Sequence, residues 1–382
     1  MNGYLESLPC SPMNHCISTI QTFRQQFFPQ ITNEQWNSWK WQLQNRPKTP
    51  EKLQQYLELT PSELTAFGGH QERLPLGITP YYLALITQSS LRKTMIPQEG
   101  ELLISPEERI DPLCEEKDSP LPNLVHRYSD RVLFLTTQNC AVYCRYCTRA
   151  RLVGQGEHRV SRSDWQQNLD YIHQHSEIRE VILSGGDALF LDDGSLEFLL
   201  QELRKIPHVQ IIRLGSKIPV VLPQRVTEDL VQMLRKYHPV YLSLHVLHPD
   251  ELNEVSKVAI SRLVDAGVVI ASQTVFLKGV NDRFEIIREL MEKLLFFRIR
   301  PYALYQCDLI HGSRHFRTSI QQGIEIIEKL RLHSSGYAVP HYIADPPGGK
   351  VTLSPQTIIS RDEQGYHLKN WEGKPVFYPD PI

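Results

Sequence analysis

The sequence predicts an α/β protein: a partial (β/α)6 barrel with a helical N-terminal region and a small β-rich C-terminal tail. Three observations carry that expectation. From Arg131 onward, six short β-prone runs alternate with six apolar stripes of helical period. Alternation of this kind builds parallel strands joined by right-handed crossovers. Nearly every β-prone run also ends in residues suited to chemistry, as expected where the loops of a barrel converge beyond the carboxyl ends of its strands. A flat doubly wound sheet is the competing arrangement, but it would offer one crevice at its switch point.

Taken in order, residues 1–19 lack periodicity and are expected to be a loose tail. Residues 20–122 read as a helical region and linker. Thr32 or Asn33 can cap a helix carrying Trp36, Trp39 and Leu43, and Thr49 with Pro50 opens another carrying Leu53 and Tyr56. Helical character continues through Ile78-Thr79-Pro80-Tyr81-Tyr82, and the Pro-, Glu- and Asp-rich stretch from Pro97 to Pro122 reads as an extended connection. The barrel is assigned to 123–345. Its strands are predicted at 132–136, 181–183, 210–214, 240–244, 269–275 and 300–305, with a seventh at 339–344. Apolar stripes such as Trp165, Leu169 and Ile172, or Leu196, Leu199, Leu200 and Leu203, mark the helices between them. In the remaining segment, 346–382, residues 357–360 and 366–368 flank Asp362-Glu363-Gln364-Gly365, a hairpin signal.

The chain has 382 residues, 41% hydrophobic and 22% charged, enough for one large core with a smaller appendage. A net formal charge of −2 gives no electrostatic footprint for nucleic acid or an anionic membrane. The longest apolar runs, such as Leu294-Leu295-Phe296-Phe297, are too short to span a bilayer, and Met1 to Thr19 shows no secretory segment. A cytoplasmic address follows by default.

Of the seven cysteines, Cys140, Cys144 and Cys147 fall within eight residues. In a reducing compartment such a cluster is a metal site before it is a disulfide framework. Three thiolates on a loop leaving a strand can hold an iron–sulfur cluster and leave one iron without a protein ligand, whereas electron-transfer clusters and structural zinc use four ligands. Cys307 or a histidine could complete a zinc site, so a noncatalytic zinc-stabilised binding module stays open on these residues alone.

The Cys140-Ala-Val-Tyr-Cys144-Arg-Tyr-Cys147 spacing resembles that of the radical S-adenosylmethionine superfamily. The surrounding text is similar to the lysine 2,3-aminomutase family: His126-Arg-Tyr-Ser-Asp-Arg131, Cys144-Arg-Tyr-Cys-Thr-Arg149, Leu183-Ser-Gly-Gly-Asp187, Pro219-Val-Val-Leu-Pro-Gln-Arg225 and Tyr305-Gln-Cys-Asp308. The similarity runs from about Phe27 to the C-terminus.

The resemblance implies a radical-SAM-type barrel and an isomerase that converts L-lysine to β-lysine by 1,2-amino migration. It implies a [4Fe-4S] cluster on Cys140, Cys144 and Cys147, S-adenosyl-L-methionine bound at its open iron, and pyridoxal 5′-phosphate. Reduction by an electron donor would cleave the sulfonium and yield a 5′-deoxyadenosyl radical. For S-adenosylmethionine the matching residues are Ser184, Gly185, Gly186, Asp187, Ser216, His245 and Gln273. Lys350, after Asp345-Pro-Pro-Gly-Gly, matches the family's Schiff-base lysine and is the catalytic candidate, although the glycine run before it is shorter by two than the family's. Arg127, Tyr128 and Arg131 match the phosphate side of pyridoxal phosphate, with Tyr302 and Gln306 lining the same cavity. Arg149 matches the position that clamps the α-carboxylate, and Asp308 with Asp345 the pair that takes the lysine ε-ammonium. Retention of both carboxylates argues for lysine over glutamate or a neutral amino acid.

Family members often carry a cysteine-rich zinc-binding tail paired with a barrel cysteine. Here the sequence ends at Tyr378-Pro-Asp-Pro-Ile382 and Arg283 stands at the barrel position, so no structural zinc is expected, and a homo-oligomer is left open. A family branch that supplies β-lysine for modification of translation elongation factor P is the alternative assignment.

Overall fold

The β-prone runs pair in sequence order into one sheet, in a computed structural model that describes residues 12–69, 74–155 and 160–380. Its strands are β1 (Leu124–Tyr128), β2 (Arg131–Thr137), β3 (Glu180–Gly185), β4 (Ile211–Ser216), β5 (Val240–His245), β6 (Val269–Phe276), β7 (Arg300–Gln306), β8 (His341–Ala344) and β9 (Val351–Thr352). The spatial order is the sequence order, β1 to β9. Pairs from β2 to β8 are parallel, while β1 and β9 join antiparallel at the two edges.

A strand order that never reverses has no switch point, which removes the doubly wound alternative. Right-handed crossovers that always step the same way put their helices on one face of the sheet. The other face curls around a cavity that touches β2, β3, β4, β5, β6 and β7 together. Strand β9, rather than β2, pairs with the free side of β8, so the barrel is partial. The crossover helices are Arg162–Gln174, Asp193–Lys205, Glu228–Arg235, Glu254–Asp265, Phe284–Phe296 and Ile320–His333. Five open on a side-chain cap: Ser161, Asp192, Thr227, Asn253 and Ser319 each accept a backbone N–H, a stabilisation of about 1 kcal/mol apiece. The sixth is preceded by Arg283, which gives no such cap. Leu196, Leu199, Leu200 and Leu203 are fully buried against the sheet, each contributing about 1.5–3 kcal/mol.

Differences from expectation are local. A helix spans Pro12–Phe27, beginning inside the segment read as a loose tail, of which residues 1–11 lie outside the described residues. Ile20 and Phe23 are buried, which fastens its second half. The expected helix through Trp36 and Trp39 is two short ones, Asn33–Trp36 and Trp39–Gln44, because Ser38 caps the second by accepting the Trp41 N–H. In the tail, β10 (Ile358–Arg361) and β11 (Gly365–Lys369) form the predicted hairpin, and β12 (Pro375–Pro379) adds a third strand. Tyr378 on β12 donates its hydroxyl to the Cys307 carbonyl at 3.1 Å, drawing the tail to the carboxyl end of β7. No helix among the described residues is long and apolar enough to cross a membrane.

Candidate active site

From inside the barrel to the carboxyl ends of its strands runs a cavity of about 480 Å³. Cys140, Cys144 and Cys147 line one part of it, on the loop leaving β2. The N-terminal region holds that loop. Arg46 donates to the carbonyls of Cys140 at 2.7 Å and Ala141 at 3.0 Å, and the buried Arg145 forks onto the buried Glu101 carboxylate, its shortest contact 2.7 Å. The Arg145 N–H also donates to the Thr94 carbonyl at 2.8 Å. From the other side β3 presses on the loop: a Cβ at Gly185 would stand 2.2 Å from the Thr137 carbonyl oxygen, and one at Gly186 2.2 Å from that of Asn139. Glycine is required at both positions so that two loops can touch, and Gly185 also has φ +112°.

The three thiols interact with one another, and burial pushes those of Cys140 and Cys144 up, that of Cys144 to about 11. Thiolates in such a place need the charge of a metal to form. Among the described residues no three His, Cys, Asp or Glu side chains converge as a single metal ion demands; an iron–sulfur cluster instead takes each thiolate at its own iron. Cys307 is buried, its thiol 3.7 Å from the Asp308 carbonyl, and is not among the residues lining the cavity. Cys10 lies outside the described residues. Three thiols at the cavity wall, with cationic Arg46 and Lys217 beside them, fit a cluster with one open iron.

Ser184, Gly185, Gly186, Asp187, Ser216, His245 and Gln273 all line the same cavity. Two of them are already engaged. Asp187 accepts the Ser216 hydroxyl at 2.6 Å and the backbone N–H groups of Leu189, Lys217 and Ile218, so its part is to brace the β3 and β4 loops. His245 is driven down to about 4 by burial and by the Lys217 and Arg149 cations, and is neutral at ordinary pH.

Lys350 reaches the cavity in spite of the short glycine run. Its Nζ donates to the Tyr305 hydroxyl at 3.0 Å, and its backbone N–H to the Tyr128 hydroxyl at 3.3 Å. Gln273 Nε2 stands 3.5 Å from the same Tyr305 oxygen. Arg127, Tyr128 and Arg131 line the cavity as expected. Arg127 is held by Asp118 at 2.6 Å and Arg131 by Asp130 at 2.8 Å, and Arg131 lies 5.2 Å from the Tyr128 ring centroid. Arg213, midway along β4, adds a third guanidinium to this wall, and burial lowers its pKa. Three cationic forks beside an amine are the donor set a pyridoxal phosphate asks for.

Gln306 is a correction. Its amide donates to the Thr318 carbonyl at 2.5 Å and accepts the Tyr342 hydroxyl at 2.5 Å, away from the cavity. Neighbours on a strand point to opposite faces, so with Tyr305 facing in, Gln306 faces the helices. Tyr302 and Tyr305, three apart, would oppose each other by the same rule. An extra residue between Pro301 and Ala303 against consecutive Ser272 and Gln273 bulges β7 and turns both tyrosines to the cavity.

Asp308 and Asp345 also line the cavity, where burial raises both carboxyl pKa values; for Asp308 the neighbouring Asp345 adds to the rise. Arg127 Nη1 approaches Asp345 at 3.4 Å. Arg149 lines the cavity as well, but in a bidentate pair with Glu115 at 2.6 and 3.1 Å.

Sequence reasoning missed Glu115, Arg213, Lys217 and Trp371, all on the cavity wall. An arginine inside the apolar run Ile211-Ile-Arg213-Leu214 was a legible signal for one of them. Glu115 lay hidden in an acidic stretch that reads as solvated, and Trp371 sits in a turn, packed edge-on against Tyr128 at 5.7 Å between centroids.

A parallel partial barrel with a three-cysteine loop at its mouth defines the radical S-adenosylmethionine class, and the model for the Radical SAM superfamily matches residues 134–292. A second model, described as Lysine-2,3-aminomutase, matches 327–382. The L-lysine 2,3-aminomutase of Fusobacterium nucleatum is 46% identical over 96% of this chain and 87% of its own length. That of Clostridium subterminale is 46% identical over 94% of this chain and 88% of its own. The glutamate 2,3-aminomutase of Clostridioides difficile is 40% identical over 91% and 84%. The chain belongs to the lysine 2,3-aminomutase family of radical S-adenosylmethionine enzymes. A [4Fe-4S] cluster, S-adenosylmethionine and pyridoxal phosphate follow from that membership, and the thiol triplet and the lysine with its arginine wall fit them.

Proposed function

We propose that this protein isomerises L-lysine to β-lysine, moving the α-amino group to the β-carbon. The observation that carries the reading is the paired carboxylates: Asp308 and Asp345 share with Lys350 and Arg149 the cavity that the three thiols border. When bound, the cluster with S-adenosylmethionine supplies a hydrogen-abstracting radical, and pyridoxal phosphate supplies the carbonyl that takes up the migrating amine.

The chain's own residues do the rest. Cys140, Cys144 and Cys147 would hold the cluster. Lys350 would hold pyridoxal phosphate, its amine steadied by the Tyr305 hydroxyl, with Arg127, Arg131 and Arg213 on the phosphate. Arg149 takes the α-carboxylate of the substrate. Asp308 and Asp345 take the ε-ammonium, and an arriving cation makes ionisation of that crowded pair favourable. The buried wall excludes water from the reacting atoms.

The two acidic groups disfavour a substrate whose side chain is itself a carboxylate, which separates this reading from glutamate. Anaerobic reconstitution with iron and sulfide, followed by S-adenosylmethionine, pyridoxal phosphate, dithionite and either amino acid, tests it. β-Lysine from L-lysine, and no β-glutamate from L-glutamate, is the expected result. A fully loaded protein that makes no β-lysine ends the proposal. As to partners, the reading requires a small-molecule substrate and an electron donor; cytoplasmic residence belongs to the same proposal.

A further inference from the structure

Arg149 has two edges on which a carboxylate can dock. Its side edge, Nε and Nη2, is filled by Glu115 at 3.1 and 2.6 Å. A guanidinium has five N–H groups. The pair with Glu115 therefore leaves its end edge, both hydrogens of Nη1 and one of Nη2, and Nη1 donates to none of the described residues. Both residues line the cavity.

Glu115 is itself fixed. It is buried, and its carbonyl accepts the Asp118 N–H at 3.1 Å and the Ser119 hydroxyl at 2.7 Å, which closes the turn that presents it. Arg151 Nη2 stands 3.8 Å from the carboxylate that Arg149 grips. Arg151 is anchored in turn by Glu116 at 3.2 Å and Asp111 at 3.4 Å. A long side chain with many rotamers open to it is thus held in one, by a partner that is held in one.

We propose that Glu115 is a positioning residue for Arg149, fixing the guanidinium so that its open end edge meets the α-carboxylate of the amino acid substrate. This deepens the lysine reading and rests on it for the identity of the carboxylate. Two effects oppose each other when Glu115 is neutralised. Arg149 loses a competing anion, which strengthens its pull on the substrate; it also loses its fixed direction, which weakens a bidentate contact that depends on geometry. The doubly braced fork makes direction the larger effect.

The experiment uses protein loaded with cluster and pyridoxal phosphate, and reads equilibrium binding from the change in cofactor absorbance. Two ligands are compared: L-lysine, and 1,5-diaminopentane, which has both amines and no carboxylate. Glu115→Gln is expected to weaken L-lysine binding about tenfold while leaving 1,5-diaminopentane within about twofold. In an Arg149→Lys background the same change is expected to have no further effect on L-lysine, because its route is gone. Tighter L-lysine binding in Glu115→Gln, equal loss for both ligands, or an undiminished effect in the Arg149→Lys background would each overturn the proposal. If the wild-type protein binds L-lysine but makes no β-lysine, only the assigned reaction falls. A wild-type protein that binds no L-lysine overturns both.

Discussion

The Nζ of Lys350 lies 3.0 Å from the hydroxyl of Tyr305, on the strand that the sheet places next to β8. That contact brings a loop residue near the C-terminus onto the cavity wall. Lys350→Ala is expected to abolish the cofactor absorbance of protein incubated with pyridoxal phosphate, leaving cluster absorbance intact. Tyr305→Phe should keep the cofactor absorbance, since only a steadying hydrogen bond is lost.

Cys144→Ala removes one of the three thiols proposed to hold the cluster. The brown colour and broad charge-transfer absorbance of the reconstituted protein should disappear. The loop is held independently through Arg46 and Arg145, so far-ultraviolet circular dichroism should be unchanged.

Asp308→Asn is expected to raise the KM for L-lysine about 30-fold, the loss of one charge-assisted hydrogen bond, with cofactor absorbance retained. Acidification should do the same reversibly. Both carboxyl values are raised, so as pH falls the pair takes up protons earlier than ordinary carboxylates, and the ammonium loses its partner above the usual carboxylate range. Linkage gives the matching sign for stability: the native pair binds more protons than the unfolded chain, so unliganded stability falls as pH rises through that window. L-Lysine should therefore raise the melting temperature more at higher pH, and a shift independent of pH would refute the assignment.

Gly185→Ala places a methyl group 2.2 Å from the Thr137 carbonyl on a residue with φ +112°. A destabilisation of about 2–4 kcal/mol in urea is expected. Because the displaced backbone is the start of the cysteine loop, iron content after reconstitution should fall as well.

Arg145→Met takes the guanidinium away from the buried Glu101 carboxylate, which keeps the Gln98 N–H at 3.1 Å, at an expected cost of about 3–5 kcal/mol. Arg145→Met combined with Glu101→Gln should recover part of that loss, and strict additivity in urea would refute the pairing.

Much of this is legible in the sequence, for reasons that differ by element. Periodicity marked the parallel strands and their helices because strands such as β6 bury alternate residues and the helices bury one face. The cysteine triplet was legible from its own spacing, whereas Lys350, Arg149, Asp308 and Asp345 were singled out only through the motifs that resemble the family. Gln306 was misread because alternation along β7 is broken by a bulge at Tyr302 that no local signal announces. Glu115 was missed because pairing between distant parts of a chain leaves no trace in composition: it meets Arg149, 34 residues on, only once the barrel has formed.

The acidic stretch before the barrel fastens to arginines on two of its loops, among them Glu101 to Arg145, Glu115 to Arg149, and Glu107 to Arg317. Each bond joins residues that lie far apart in the polypeptide. A chimaera that grafts this stretch onto another barrel would then keep these contacts only where that barrel supplies the matching arginines, so the joint that matters lies far from the point of splicing.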